Sequence, residues 1–226
     1  MMTLELPGFV WQSTSMTTRE EAAEQLRVIR SMMERATVFR ALSGETALVG
    51  GAAALGAAWV SEPRTGWTWA AIWLGGLGAV LLFNFYQLVR MAAVRKGRVW
   101  TSGLKLALRG AMPSIIAGGF LGLLAVRSNQ PSSTILAACF WILHYGLALL
   151  AIREFAPKSM VWLGWAFVVF GVIGLAFLTG LITQETIPMI SKLSNGSRLM
   201  AIAFGGFHLL YGAIIVTTGR REDTAA

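Results

Sequence analysis

Long apolar runs alternate along the chain with short polar or charged segments. Runs at 42–60, 67–89, 106–126, 134–152, 161–183 and 199–218 lie close to the roughly 20 residues a helix needs to cross about 30 Å of hydrocarbon. They fall into three pairs with a common layout. The first run of each pair is plain and rich in Gly and Ala, and the second carries polar groups before a terminal basic residue: Asn84 and Tyr86 before Arg90, His144 and Tyr145 before Arg153, His208 and Tyr211 before Arg220 and Arg221. This pattern predicts an all-α polytopic membrane protein of six transmembrane helices arranged as three helical hairpins, with a bundle over 42–218 and a short cytoplasmic tail over 219–226.

The segments before the bundle have a different pattern. Residues 1–16 contain Pro7 and Gly8, show no sustained period and read as a mobile lead-in. At Thr17 and Thr18, three residues before Glu20 and Glu21, a capping box opens a helix predicted over 17–41. Ala22, Leu26, Ile29, Met33 and Ala36 form one apolar stripe along it, with Glu24 placed to pair with Arg27 and Arg30 with Glu34. Such a juxtamembrane helix lies on the lipid interface, docks on the bundle or a protein partner, or pairs with another copy in a homo-oligomer.

Composition supports a membrane domain: 55% of residues are hydrophobic and 13% charged, about half the usual charged fraction, and mean hydropathy is +0.62. A net charge of +8 would suggest nucleic acid in a soluble protein, but here the basic residues flank the apolar runs, so anionic lipid headgroups are the expected partner and nucleic acid is not. The connection after the second run, with Arg90, Arg95, Lys96, Arg98, Lys105 and Arg109 and no acid, is the strongest such signal and forms the candidate cytoplasmic basic surface. In a six-span arrangement fifteen of the 19 Lys and Arg residues fall on one side and four on the other. By the positive-inside rule both termini are then cytoplasmic. The first forty residues lack the apolar core of a signal peptide, which leaves insertion to the first span.

Within the runs, Gly118 and Gly122 have the small-xxx-small spacing of close helix packing, Trp67, Trp69 and Trp73 suit an interfacial aromatic belt, and Glu45 suits an interfacial anchor pairing with Arg40. The lone cysteine, Cys139, reads as a buried structural thiol. Asn195, Gly196 and Ser197 form a glycosylation-like triplet that in a bacterial chain is simply a turn.

Residues Ile29, Arg30, Met33, Glu34, Arg35, Thr37, Phe39, Leu42, Ser43 and Gly44 near the start, with Phe204, Gly205, Gly206, Phe207, His208, Tyr211 and Gly212 near the end, resemble the opening and closing signatures of a family of six-helix bacterial integral membrane proteins to which no activity is assigned. The resemblance implies a multi-pass protein of the bacterial inner (plasma) membrane, of the kind encoded beside small winged-helix regulators. At the place of His144 such proteins hold an aliphatic residue, while Tyr145 and Gly146 look typical, so the resemblance speaks against a joint role for His144 and His208.

The candidate intramembrane polar cluster is Asn84, Tyr86, His144, Tyr145, His208 and Tyr211. Ionisable groups in hydrocarbon are functional candidates by default. Three uses compete. One is a non-enzymatic interaction or regulatory role, with the bundle presenting the amphipathic helix and basic loop at the cytoplasmic surface. The second is transport of a small solute or ion along the cluster, against which the spans hold no central carboxylate or lysine. The third is a b-type haem on His144 and His208, the only histidines; otherwise each imidazole bonds to neighbouring backbone or to a tyrosine. No catalytic motif, metal motif or cofactor signature is present, and none is expected.

Overall fold

The computed structural model describes residues 21–27, 44–94, 99–154, 156–182 and 195–225. It divides at Met33 and Glu34 into two units. In the first, residues 21–27 are helical and exposed, and Arg27 lies 3.6 Å from Glu24, the expected surface pair. The remainder of the predicted 17–41 helix lies outside the described residues, as do Arg40, the loop cations Arg95, Lys96 and Arg98, and residues 183–194.

Among the described residues the second unit is helical throughout, without strands. It comprises α1 (Gly44–Ser61), α2 (Gly66–Val94), α3 (Ser102–Val126), α4 (Pro131–Ala151), α5 (Lys158–Leu178) and α6, which runs as Gly196–Met200, a π-helical stretch Ala201–Phe207 and His208–Ala225. Five helices among the described residues are long and apolar enough to cross a membrane: Gly66–Val94, Ser102–Val126, Ser132–Ala151, Lys158–Leu178 and Gly196–Thr218. α1 has the 18 residues but not the apolarity, since Gly and Ala add little hydrophobicity per residue and Glu45 subtracts from it.

Close approaches at glycines give the direction of each helix. Along α1 and α6, a Cβ on Gly44 would stand 2.9 Å from Gly212 O, and one on Gly51 would stand 3.0 Å from Gly205 O. As the number rises in α1 it falls in α6, so the two are antiparallel and meet backbone to backbone. α3 and α4 run antiparallel by the same test: Gly118 faces His144, Gly122 faces Trp141 and Gly110 faces Ala151, the tight packing expected of the Gly118/Gly122 pair. Gly146 against Gly164 and Gly171 against Leu143 make α4 and α5 antiparallel, and Gly76 beside Ala57 with Gly50 beside Val80 does so for α1 and α2. α4 and α6 run parallel, since Gly196 lies on Thr134 and His208 on Tyr145, so directions alternate from α1 to α6.

The expected pairs α1–α2 and α3–α4 pack side by side. The last two helices do not form a third such pair, because α5 packs along α4 and meets α6 chiefly at the π-helical stretch, while α6 packs on α1 and α4. α4 is central, with Ala137, Ala138, Cys139 and Ile142 almost without exposure. The expected buried thiol is seen at Cys139, against Gly174 of α5. α5 ends at Leu178, short of the expected 183, because Gly180 with φ +76° closes the helix in a turn.

Candidate functional site

One polar group of the core is built where α4 and α6 run beside each other. The π-helical stretch widens α6 by one residue and ends at His208, which packs back over Phe204. His208 Nδ1 lies 3.0 Å from Phe204 O, and Tyr145 Oη lies 2.9 Å from His208 Nε2. A carbonyl only accepts, so Nδ1 carries the proton of the neutral ring and donates it to Phe204 O. Nε2 then accepts, and the Tyr145 hydroxyl donates to it. Both imidazole nitrogens are used, and the direction of both bonds is fixed.

Aromatic rings close around the pair. Phe167 of α5, with no exposure, meets Tyr145 edge-on at 4.8 Å and His208 at 5.4 Å. Phe204 stands 5.0 Å from Tyr145 and stacks on His208 at 6.0 Å with an 11° interplanar angle, and Phe207 meets Phe167 at 5.3 Å. A hydrogen bond in so apolar a shell is strong and leaves little room for the ring to turn.

The other expected members of the cluster lie elsewhere or play a different part. Tyr211 packs, partly buried, on the same core. His144, next to Tyr145 on α4, points toward α3: its side chain covers Gly118, its Nδ1 donates to Phe140 O at 2.8 Å, and the Ser114 hydroxyl donates to its carbonyl at 2.8 Å. Successive residues on a helix diverge by about 100°, which carries adjacent His144 and Tyr145 to different neighbours. Asn84 donates to its own helix at Val80 O, 2.8 Å away, and Tyr86 is 61% exposed. The six residues thus separate into a bonded pair, one tyrosine on the same core and three that do not join them. For His208 to ligate haem iron it must first give up the Tyr145 bond, and His144 is turned to α3.

A second polar group, which the sequence reading missed, lies at the end of the bundle where α1 meets α2 and α6 begins. Ser61 Oγ and Ser197 Oγ are 2.8 Å apart, with exposures of 0% and 1%. Trp69 Nε1 donates to Ser197 Oγ at 2.9 Å and Trp73 Nε1 donates to Ser61 Oγ at 3.0 Å. Ser61 in turn donates to Ala58 O at 3.3 Å. With Ser197 donating to Ser61, every hydroxyl and indole proton in the group has an acceptor.

This corrects the belt expectation: Trp67 is exposed, but Trp69 and Trp73 are buried, because two serines supply the acceptors that let indole N–H groups leave the interface. Trp141 stacks on Trp69 at 5.3 Å and 17°; its own Nε1 is buried against Gly122 without a hydrogen-bond partner among the described residues. Above the serines, Asn195 caps α6 by accepting from Ser197 N at 2.8 Å, and Arg198 pairs with Glu62 at 2.8 Å. The turn expected at the Asn195 triplet is this cap. The signal available in the sequence was Trp69 and Trp73 at i, i+4, beside serines at span ends.

Of the candidate basic surface, Arg90, Lys105 and Arg109 are exposed, and Arg153 and Lys158 stand at the same end of the bundle by the alternation of helix directions. Among the described residues no three His, Cys, Asp or Glu side chains gather as a metal site would require. Comparison with family profiles, with curated proteins and with solved structures finds no match to the chain.

Proposed function

We propose that the chain is a six-span protein of the bacterial inner membrane, with both termini cytoplasmic. In this reading it is a non-enzymatic interaction or regulatory protein that presents the amphipathic helix and the basic segment at the inner surface. The observation that carries it is the division of labour among polar groups. The Tyr145–His208 pair and Asn84 use their hydrogen bonds on each other or on backbone, which is a packing role, whereas exposed cations gather at one end.

Six crossings are supported by the α1–α6 seam. α1 lies against α6 turn by turn from Gly44 to Ser61, so it spans the same depth as a helix that is itself apolar enough to cross. An even number puts the start of α1 and the end of α6 on the same side of the membrane. Transport receives less support, since the central pair is enclosed by Phe167 and Phe204.

Two experiments test the proposal. A cytoplasm-active reporter fused after Ala226 is expected to be active, and activity only of a periplasmic reporter overturns the topology. Deletion of residues 1–40 is expected to abolish co-purification of a cytoplasmic partner while the bundle stays folded; partner capture that survives the deletion overturns the interaction role.

A further inference from the structure

α3 has two opposite faces. Ala107, Gly118, Gly122 and Val126 are buried, and Gly110, Gly118 and Gly122 approach α4. On the opposite side Lys105, Arg109, Met112, Ile116 and Phe120 recur at spacings of four, three, four and four, and all five are exposed. Gly119 continues this face, with nothing within 4 Å of where its Cβ would stand.

The stripe is graded by chemistry. Its two cations sit one turn apart at the end of the bundle where Arg90, Arg153 and Lys158 also lie, and the helix contains no acid. Neither cation has an ion-pair partner among the described residues. Like charges at i, i+4 repel in the absence of an anion. From Arg109 to Phe120 the stripe is apolar, 42% exposed at Met112, 61% at Ile116 and 65% at Phe120, over about 16 Å of helix rise.

We infer that this face of α3 is a binding site for one anionic phospholipid, its phosphate held between Lys105 and Arg109 and one acyl chain lying along Met112, Ile116 and Phe120 in the groove left by Gly119. Cβ atoms one turn apart are about 6 Å from each other, a span that one phosphate bridges. A soluble anion has no use for the apolar stripe, and an acidic peptide has none for its depth. Charge at one end and a chain-length apolar track at the other match an anionic lipid. The positive end of the α3 dipole adds to the field at the phosphate. The inference rests on reading the bundle as membrane-spanning, not on which terminus faces which compartment.

The test is native mass spectrometry of the full chain in detergent, titrated with phosphatidylglycerol or phosphatidylcholine. The wild-type protein is expected to retain one phosphatidylglycerol in preference to phosphatidylcholine. K105Q/R109Q is expected to weaken that binding about thirtyfold, the effect of two charges near a lipid surface, while R153Q/K158Q at the same end leaves it unchanged. G119W, which fills the groove without touching the cations, is expected to weaken long-chain phosphatidylglycerol about tenfold and spare a dihexanoyl analogue, a contrast in which apolar burial is removed and charge kept. Equal losses in the two charge variants, equal retention of both lipids by the wild type, or full long-chain binding by G119W each overturns the assignment. The titration is blind to orientation, so it fails or succeeds independently of the reporter at Ala226.

Discussion

Two buried polar groups of this bundle solve the same problem in different ways. At the α1–α2 end, two serine hydroxyls receive two indole protons and pass their own along to Ala58 O, so four side chains from three helices share one branched network. In the middle, a single tyrosine donates to a single imidazole, and phenylalanine rings do the rest. The first group is held by hydrogen bonds that no apolar residue can replace, because the indoles remain as donors whatever happens to the serines. The second is a matched pair whose removal as a pair takes only one donor from Phe204 O, a helix carbonyl. A branched network fixes where helices meet, and an isolated pair fills a space that other rings of similar shape also fill.

That contrast is open to a direct attack. The largest effect is expected for S61A/S197A, which strands the Trp69 and Trp73 N–H groups in the core: the variant should lose about 3 kcal/mol in reversible unfolding of the detergent-solubilised protein, at one to three for each buried unsatisfied donor. A loss under 1 kcal/mol means that the network does not tie these helices. Next, Y145F should cost about 1 kcal/mol by leaving His208 Nε2 without its donor, and Y145F/H208F should recover most of that loss, since exchanging both partners for apolar rings is close to neutral. If the double variant is instead worse than the sum of the singles, the pair has a use beyond packing. The smallest effect belongs to E62Q, which removes the negative charge facing Arg198 at the rim. With the side chains 53% and 43% exposed, the loss should be under about 0.5 kcal/mol and should vanish in high salt. A larger, salt-resistant loss would make the rim part of the network beneath it.

Much of the architecture could be read from the chain because it follows from local physics. Apolar length located the helices, Gly118 and Gly122 marked the α3 face that meets α4, and His208 and Tyr145 were singled out because imidazole and phenol in hydrocarbon need partners. What escaped was decided by residues far apart in sequence. An interfacial tryptophan and a buried one look alike in a sequence, and what buries Trp69 is a hydroxyl supplied 128 positions later by Ser197. His144 and Tyr145 are neighbours in the chain, yet one packs on Gly118 of α3 and the other on Phe167 of α5. The π-helical Ala201–Phe207 leaves no signature in apolar periodicity, since every residue in it is apolar or glycine. α5 departs from the hairpin scheme for a related reason: residues 179–195, the longest connection between these helices, do not oblige α5 and α6 to pair, and the glycines of α6 fit those of α1.

The glycine seam between α1 and α6 also bears on how the protein is made. During synthesis α1 emerges early, yet the surface that receives Gly44 and Gly51 is translated only with Gly205 and Gly212, so α1 waits for a mate encoded some 160 residues downstream. A nascent chain halted after α5 would leave that weakly apolar helix holding its place without support. Biogenesis of the described bundle therefore has a checkpoint at the arrival of α6, where a late segment locks an early one.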